Sequence, residues 1–520
     1  MAGGLIQLTA YGAQNIYLIE NPSITFFKKV YRKYSNFACE NINVQFDKIP
    51  SFRGSQITTS CTIPRSGDLV RNIYLKIILP SVTDSGNFLW SRNLGSEIIK
   101  NVKILVGGSL IDTLPEHWIT IWNELTLNSS IKKNFNNLTG NIPEIHSYLG
   151  NKSSRTLYIP IPLFFFKDAG MSLPLVALQY HELEIQFEFR NITEMYSGTP
   201  LETLDITDIS LDVEYIFLDS VERNRFSKVD HQYLINTIQY TKFSNIDQNA
   251  ILELKFNHPV KELIFVLQRD DITKQQSNFT DTLDEESGSH ILVNGNLQVN
   301  GYDRFETVDF NHFGGIQLLE HHSNFPTIEY CDTEIISHEL CLDSNNASIY
   351  HANTYLSIPY NMDLIGIQGI INGTIDVDTT ISFSKNSTSI TNGNLTFIAS
   401  GSAAGDATSS IPTANQNFSS SDHLKVTISG SNTNLVNCNL TLKFQKRSNY
   451  LKDKKGIYVY SFGLKPEEYQ PTGAMNFSML NNVYLKLNHI QGTNINCFVY
   501  GLTHNIFRVV AGMGNRVFVN

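Results

Sequence analysis

Asp68-Leu-Val-Arg-Asn-Ile-Tyr-Leu-Lys-Ile77 and His258-Pro-Val-Lys-Glu-Leu-Ile-Phe-Val-Leu267 are two versions of one pattern: an apolar start, a basic residue, a polar one, then a run of large apolar side chains. The first version continues to Leu79 and stops at Pro80, which has no N–H to offer a ladder. An apolar run that short, rich in β-branched and aromatic residues, reads as a buried strand. Its recurrence reads as one structural programme run twice. A later strand around Val213 has its counterpart around Val499. Val70 and Val213 lie 143 positions apart, whereas Val260 and Val499 lie 239 apart, so the second copy carries about 96 extra residues. Paired domains of one fold differ mainly in surface loops, so the excess is an insertion.

Period-two patterning dominates the rest of the first 218 residues. Phe37 to Phe46 alternates apolar and polar side chains, Ile57 to Ile63 follows a Gly54-Ser55 turn, and Ile98 to Val106, Leu183 to Phe189 and Ile206 to Leu218 are further strands. Gly107-Gly108-Ser109 supplies a tight hairpin turn. One helix is predicted over Pro115 to Leu127, where Trp118, Ile121, Trp122 and Leu125 recur at helical spacing. Asp219 followed by Glu222 has the form of a capping box and opens a short charged stretch before strands resume at Tyr233; the domain boundary falls there. Between Ile371 and Asn434, short alternating runs (Thr374 to Phe383, Leu395 to Ala399, Leu424 to Ile428) separated by Gly, Ser and Asn predict extra hairpins on an exposed β-rich appendage.

Composition agrees with a β protein. Of 520 residues, 41% are hydrophobic, which is too many for intrinsic disorder, and only 17% are charged, which is too few for charge-laced helical bundles. A net charge of −10 argues against a main surface built to neutralise phosphates. Six cysteines without a Cys-x-x-Cys pair suit a reduced, cytosolic life rather than a disulfide framework. The N-terminus has no basic and apolar leader, and no segment approaches the ~20 apolar residues that span a bilayer, so membrane contact is expected to be peripheral.

Chemical motifs are scarce. There is no phosphate loop, nucleophile elbow or His-Glu-x-x-His helix. His312, His321, His322, Cys331, His338 and Cys341 supply zinc-ligand chemistry, but Cys331 and Cys341 lack the tight paired spacing of structural zinc sites; loop histidines and buried thiols are the simpler reading. Glu285-Glu286 and Glu467-Glu468 read as exposed charge, because catalytic carboxylate pairs come from separate elements. Ile24 to Tyr34 (ITFFKKVYRKY) is more specific. In helical geometry Phe27, Val30, Tyr31 and Tyr34 form an apolar stripe, and Lys28, Lys29, Arg32 and Lys33 occupy the remaining surface, poised for an anionic partner. A solvated face on a packed helix is the competing reading. Sequons such as Asn372 and Asn394 arise readily in an Asn-rich, Ser-rich and Thr-rich chain.

Asn21-Pro-Ser-Ile-Thr-Phe-Phe-Lys-Lys-Val-Tyr-Arg-Lys-Tyr-Ser-Asn-Phe-Ala38 resembles the N-terminal signature of the major capsid proteins of nucleocytoplasmic large DNA viruses. The positions that carry it are Asn21, Pro22, Phe26, Phe27, Tyr31, Asn36 and Phe37. Tyr458 to Ser478 (YVYSFGLKPEEYQPTGAMNFS) is similar to the second signature of that family, through Pro466, Glu467, Glu468, Gln470, Pro471, Gly473, Asn476 and Phe477. Gly463 and Tyr469 depart from its usual pattern. Asn300 to Phe305 and Val509 to Gly514 continue the resemblance, nothing between about Glu320 and Lys455 does, and the N-terminus looks closest to the mimivirus-like branch.

The resemblance implies an all-β chain of two consecutive eight-stranded jelly rolls, a double jelly roll, with a few short helices and a β-rich surface insertion in the second. The expected organisation is an N-terminal arm over 1–35, a first roll over 36–219, a linker over 220–232, and a second roll over 233–520 whose insertion spans about 320–455 and faces outward, for host contact or cementing. It further implies a homotrimeric capsomer of pseudo-sixfold outline that tiles an icosahedral shell. Neighbouring capsomers, minor capsid proteins and an internal membrane are the expected partners, with Lys28, Lys29, Arg32 and Lys33 on the inner face. No catalytic residue, cofactor, metal or sequence-specific nucleic-acid contact is expected, and assembly is expected in the host cytoplasm. The alternatives are a carbohydrate-binding jelly-roll protein and a minor capsid or penton protein.

Overall fold

In the computed structural model the first unit is built from eight strands: β1 (Phe37–Val44), β2 (Ile57–Ile63), β3 (Leu69–Leu79), β4 (Ile99–Val106), β5 (Ser109–Leu114), β6 (Arg155–Pro160), β7 (Leu183–Phe189) and β8 (Ile209–Leu218). They pair antiparallel as two facing sheets of order β1-β8-β3-β6 and β2-β7-β4-β5. In β7, Leu183, Ile185, Phe187 and Phe189 are buried and the polar residues between them are half-buried, the alternation of a strand with one face on a core. Gly107 and Gly108, at φ 57° and 79°, make the two-residue turn that pairs Val106 with Ser109. The structure describes residues 3–519 apart from 11, 13–17, 54–56, 84–87, 143–144, 146–150, 167, 198–203, 207, 270–290, 325–332, 343–352, 358–361, 415, 419–421, 431, 435, 447–455 and 490–493.

The second unit repeats that order strand for strand: β9 (His231–Phe243), β10 (Asn249–Glu253), β11 (Pro259–Arg269), β12 (Leu292–Val299), β13 (Tyr302–Asp303), β14 (Ile457–Ser461), β15 (Val483–His489) and β16 (Ile495–Val510). Its sheets run β9-β16-β11-β14 and β10-β15-β12-β13, so each strand corresponds to the one eight numbers earlier. The two patterns that open the sequence are β3 and β11. Val213 pairs with Ile73, whose counterpart in the repeated pattern is Leu263, and Leu263 pairs with Gly501; by register the counterpart of Val213 is therefore Gly501, two residues from the expected Val499. The two units are the expected pair of jelly rolls.

Unlike β3, β11 is buried on both faces from Val260 to Gln268. One face packs into the core of its own roll, through Leu263, Phe265 and Leu267. The other presents Ile264 and Val266 to a core continuous with that of the first roll. The unbroken apolar run in the second copy therefore records the packing of roll on roll.

Between β5 and β6 lie α1 (Trp118–Thr126) and α2 (Ser129–Thr139), and α3 (Ser220–Lys228) connects the rolls. The expected linker is thus a helix, and strands resume at His231, two residues earlier than anticipated. Asp219 occupies the N-cap of α3 but its side chain makes no capping bond. Asp68 ties this corner instead, accepting from the Leu218 N–H at 2.9 Å and pairing with Arg223 at 2.8 Å.

The insertion is more than a set of hairpins. From Thr333 to Lys446 it forms two five-stranded sheets that enclose their own core, including Leu340, Leu364, Phe383, Leu395, Val426 and Phe444. It leaves and returns between β13 and β14, the place that α1 and α2 occupy in the first roll.

Candidate functional site

Every described residue from Asn21 to Glu40 is solvent-exposed, and none before Phe37 lies in a helix or strand. The helix expected over Ile24–Tyr34 does not form. Short helices draw most of their stability from burying one face, and among the described residues nothing covers this one. Phe26 is 86% exposed, Phe27 98% and Tyr31 82%, so an extended arm carries a row of uncovered aromatic rings interleaved with exposed Lys28, Lys29, Arg32 and Lys33. Asn21 takes a left-handed φ of 52° just before Pro22. The arm joins the body where the Asn36 carbonyl accepts from the Asp219 N–H and Phe37 pairs with Leu218.

The second signature folds into a compact turn. Strand β14 leads into Gly463, where a Cβ would stand 2.8 Å from the Gly473 carbonyl; Gly473 itself sits at φ 136° with its own Cβ position 3.0 Å from the Phe462 carbonyl. The glycine that departs from the family pattern is thus required by the close approach of the two chain segments. Pro466 and Phe477 are buried, the latter against Phe256 and Phe462. The Asn476 side chain accepts from the Ser478 N–H at 3.1 Å, and Met475–Asn476 pairs with Pro259–Val260 of β11. Gln470 and Pro471 are exposed.

Glu467 is not the exposed charge its sequence neighbourhood suggested. His322, whose side chain is fully buried, points Nδ1 at Glu467 (2.9 Å) and Nε2 at Glu262 (3.1 Å); Glu467 also accepts from the Ser323 N–H at 3.0 Å. Burial alone would lower the His322 pKa, but the two carboxylates outweigh it and raise it to about 9, so the ring is an imidazolium that donates from both nitrogens. Burial likewise pushes Glu467 up, and the His322 and Ser323 hydrogen bonds overcome it and hold its carboxyl below the usual range. Glu468 is exposed and pairs with Lys465 at 2.8 Å, while its carbonyl accepts from the buried Lys261 at 3.3 Å. Neither Glu467 nor His322 could have been paired from sequence, because 145 positions separate them. His312 packs against Phe313, and His321 faces the Leu464 carbonyl. Cys331 and Glu285-Glu286 lie outside the described residues, and among the described residues no cluster of His, Cys, Asp or Glu is placed to hold a metal.

A polar cluster joins the two rolls. Trp118 of α1 stacks on Trp122 (5.4 Å) and leans on Tyr500 of β16 (5.5 Å), while His117 meets Phe498 edge-on. Each large apolar side chain fully buried in this seam contributes about 1.5–3 kcal/mol. At its rim Glu116 accepts from the Tyr240 hydroxyl at 2.6 Å and pairs with Lys242 and Arg190 at 3.5 Å; the buried Glu97 accepts from Thr120 at 2.6 Å and pairs with His117 at 2.8 Å. Burial pushes both carboxyls up, but His117, Arg190 and their hydrogen-bond donors outweigh it, holding Glu97 low and Glu116 at about 2. Asp112 accepts from the Ile238 N–H at 3.2 Å across the seam. At the far end, the Tyr180 N–H donates to the Gly512 carbonyl and His181 Nδ1 lies 3.0 Å from the Gly514 carbonyl, clamping the chain's last hairpin onto the first roll. A Cβ at Gly514 would stand 2.7 Å from Leu178, so this motif is glycine for closeness of approach.

Strand registers place the exits of the chain. Phe37 of β1, Leu69 of β3 and Leu218 of β8 share one end of the first roll, and Leu79 and Arg155 share the other. The arm therefore leaves from the end opposite the α1–α2 connection. Asn324, at the root of the insertion, donates from its backbone to Leu125 and from its side chain to the Glu124 carbonyl, so the insertion emerges beside α1, away from the arm.

Comparison with known proteins supplies the family. A family model described as the major capsid protein N-terminus matches residues 25–219. A second, described as the large eukaryotic DNA virus major capsid protein, matches 222–344 and 452–515, omitting most of the insertion. The major capsid protein of Pyramimonas orientalis virus is 30% identical over the full length of both chains. Capsid protein 1 of Acanthamoeba polyphaga mimivirus is 39% identical over 51% of this chain and 49% of its own. Among solved structures, a chain of the PBCV-1 virus capsid superposes with a TM-score of 0.62 at 20% identity, over 95% of this chain and 100% of that one. The Faustovirus major capsid protein superposes with a TM-score of 0.54 at 9% identity, over 98% and 96%. Both likenesses establish the double jelly-roll fold.

Proposed function

This chain belongs to the large eukaryotic DNA virus major capsid protein family, a family of structural proteins that form the capsid shell, and from that premise we propose that three copies of it make one capsomer of hexagonal outline. The observation that carries the reading is the strand-for-strand repeat within one chain, locked by a shared core. Three such chains around a threefold axis offer six similar lobes, the outline that tiles a hexagonal lattice. Native mass measurement of the purified protein tests this: the expected mass is three chains, and a single chain at micromolar concentration refutes it.

That arm and insertion leave from opposite ends supports an orientation in the shell. The arm points inward, where its exposed aromatics and Lys28, Lys29, Arg32 and Lys33 meet minor capsid proteins or an internal membrane; basic and aromatic side chains together suit an anionic, partly apolar surface. The insertion points outward and serves host contact or the cementing of neighbouring capsomers. Deleting residues 1–34 is expected to prevent closure of normal particles, and normal particles without them would refute the inward role. Assembly takes place in the host cytoplasm, a reading supported by the free and exposed Cys39 thiol.

A further inference from the structure

The two rolls repeat one order, so each position on one sheet has a counterpart on the other, and the counterparts differ in kind. The outward face of the β9-β16-β11-β14 sheet carries Tyr240, Phe498, Tyr500, Ile264 and Val266, all in or against the core shared with the first roll. The repeated pattern makes Ile73 the equivalent of Leu263, so the same positions on the β1-β8-β3-β6 sheet are Asn43, Ser210, Asp212, Tyr74 and Lys76. Within the chain, the apolar face is covered by α1 and β5 of the first roll: Trp118 lies on Tyr500 and Asp112 reaches Ile238. The polar face has no second roll over it in one chain. It is not arranged as loose surface charge. Glu214 accepts from Asn72 at 2.5 Å and pairs with Arg71 at 3.4 Å, Lys76 lies 5.9 Å from the Tyr158 ring, and Tyr74 packs on Phe166.

We infer that this outward face of the first roll is the seat of the second roll of a neighbouring copy, and that the seam between copies is polar where the equivalent seam within a chain is apolar. The inference rests on the trimer reading and deepens it. The segment that takes the place of β5 and α1 in the second roll is β13 with the helical turn His312–His321 after it. That segment exposes Tyr302 (81%) and Leu319 (78%), with Asp303 and Arg304 beside Tyr302. Apolar side chains there can lie on Tyr74 and Tyr158, and its charges can meet Lys76 and Asp212. A closed ring then alternates two kinds of contact: a permanent apolar seam made as each chain folds, and a charged seam made only on assembly. Charged seams are screened by salt and fix partner and register more than they add raw affinity. Release of misplaced copies during lattice growth is the consequence.

The test uses the full-length chain and its Lys76→Glu and Asp212→Lys variants, with native mass measured between 0.05 and 1 M NaCl and folding checked by far-ultraviolet circular dichroism and thermal melting. The wild type is expected as a trimer at low salt whose dissociation constant rises at least tenfold at 1 M NaCl. Each variant is expected to raise it tenfold or more at low salt, with an unchanged melt of the single chain. Two variants of opposite sign guard against one that merely misfolds. Trimers whose mass is indifferent to both substitutions and to salt overturn the polar seam and leave the trimer standing. A wild type that stays a single chain overturns both.

Discussion

Replacing His322 by glutamine should destabilise the junction of the second signature, and the loss should depend on pH in a direction the geometry fixes. In the folded chain the ring is held as an imidazolium between Glu262 and Glu467, and its pKa rises from 6.5 to about 9. A group whose folded pKa is raised contributes stability that is fully present below its unfolded pKa and is lost as pH climbs through the folded one. At ~1.4 kcal/mol per pH unit, that shift is worth about 3 kcal/mol. The deficit of His322→Gln should therefore be about 3 kcal/mol at pH 6 and shrink to about 1 kcal/mol or less by pH 9.5. Glu467, held below 4.5, stays ionised across that range and does not confuse the result. Lys261, which burial lowers to about 8, works in the opposite sense, since its folded state favours the neutral amine and gains as pH rises. The quantity to read is thus the difference between variant and wild type, not the slope of either. Because a chain with three cores does not melt in one step, the assay is hydrogen–deuterium exchange of peptides over 458–478 at pH 6, 7.5 and 9.5, corrected for the intrinsic rate at each pH. A deficit that is constant across pH, or absent at pH 6, refutes the buried imidazolium.

Trp118→Ala should cost about 3–5 kcal/mol, because it empties the centre of the seam within the chain, and thermal melting should show the first transition falling. Gly463→Ala should cost about 1–3 kcal/mol, since the new methyl meets a backbone carbonyl that cannot rotate away; a melt equal to wild type would contradict the close approach. Excising 333–446 and joining the ends with a short Gly-Ser linker should leave the mass of the assembly and the melt of the rolls unchanged. The insertion has its own core, and Thr333 pairs with Gln445, so the ends are already adjacent. Arg190→Ala, which leaves the buried Glu97 and the largely buried Glu116 without their guanidinium partner, should cost about 3–5 kcal/mol, read by chemical denaturation near pH 7.

Patterns set by near neighbours were legible in the chain. Leu69–Leu79 forms the strand its apolar run describes, Ile57–Ile63 and Leu183–Phe189 form those of their period-two runs, and the helix over Trp118–Thr126 keeps its stripe of Trp118, Ile121 and Leu125 buried. The internal repeat was legible because β3 and β11 solve the same local problem. Ile24–Tyr34 shows the limit of such reasoning. Its helical stripe is real, yet a stripe becomes a helix only when something covers it, and among the described residues nothing does. The insertion was visible as a change of composition, but its closure into a separate two-sheet body depends on pairings such as Met362 with Lys446, which no local pattern announces.

Sequence by itself therefore determined the strands, their repetition, the position of the insertion and the family, because each of these depends on side-chain order along a few turns or strands. Tertiary structure alone decided that Glu467 meets His322, that Trp118 lies on Tyr500, and that one sheet face is apolar while its twin is charged. Those contacts join residues more than a hundred positions apart, and the cost of burying a charge or an aromatic ring is settled only by what stands opposite it in space.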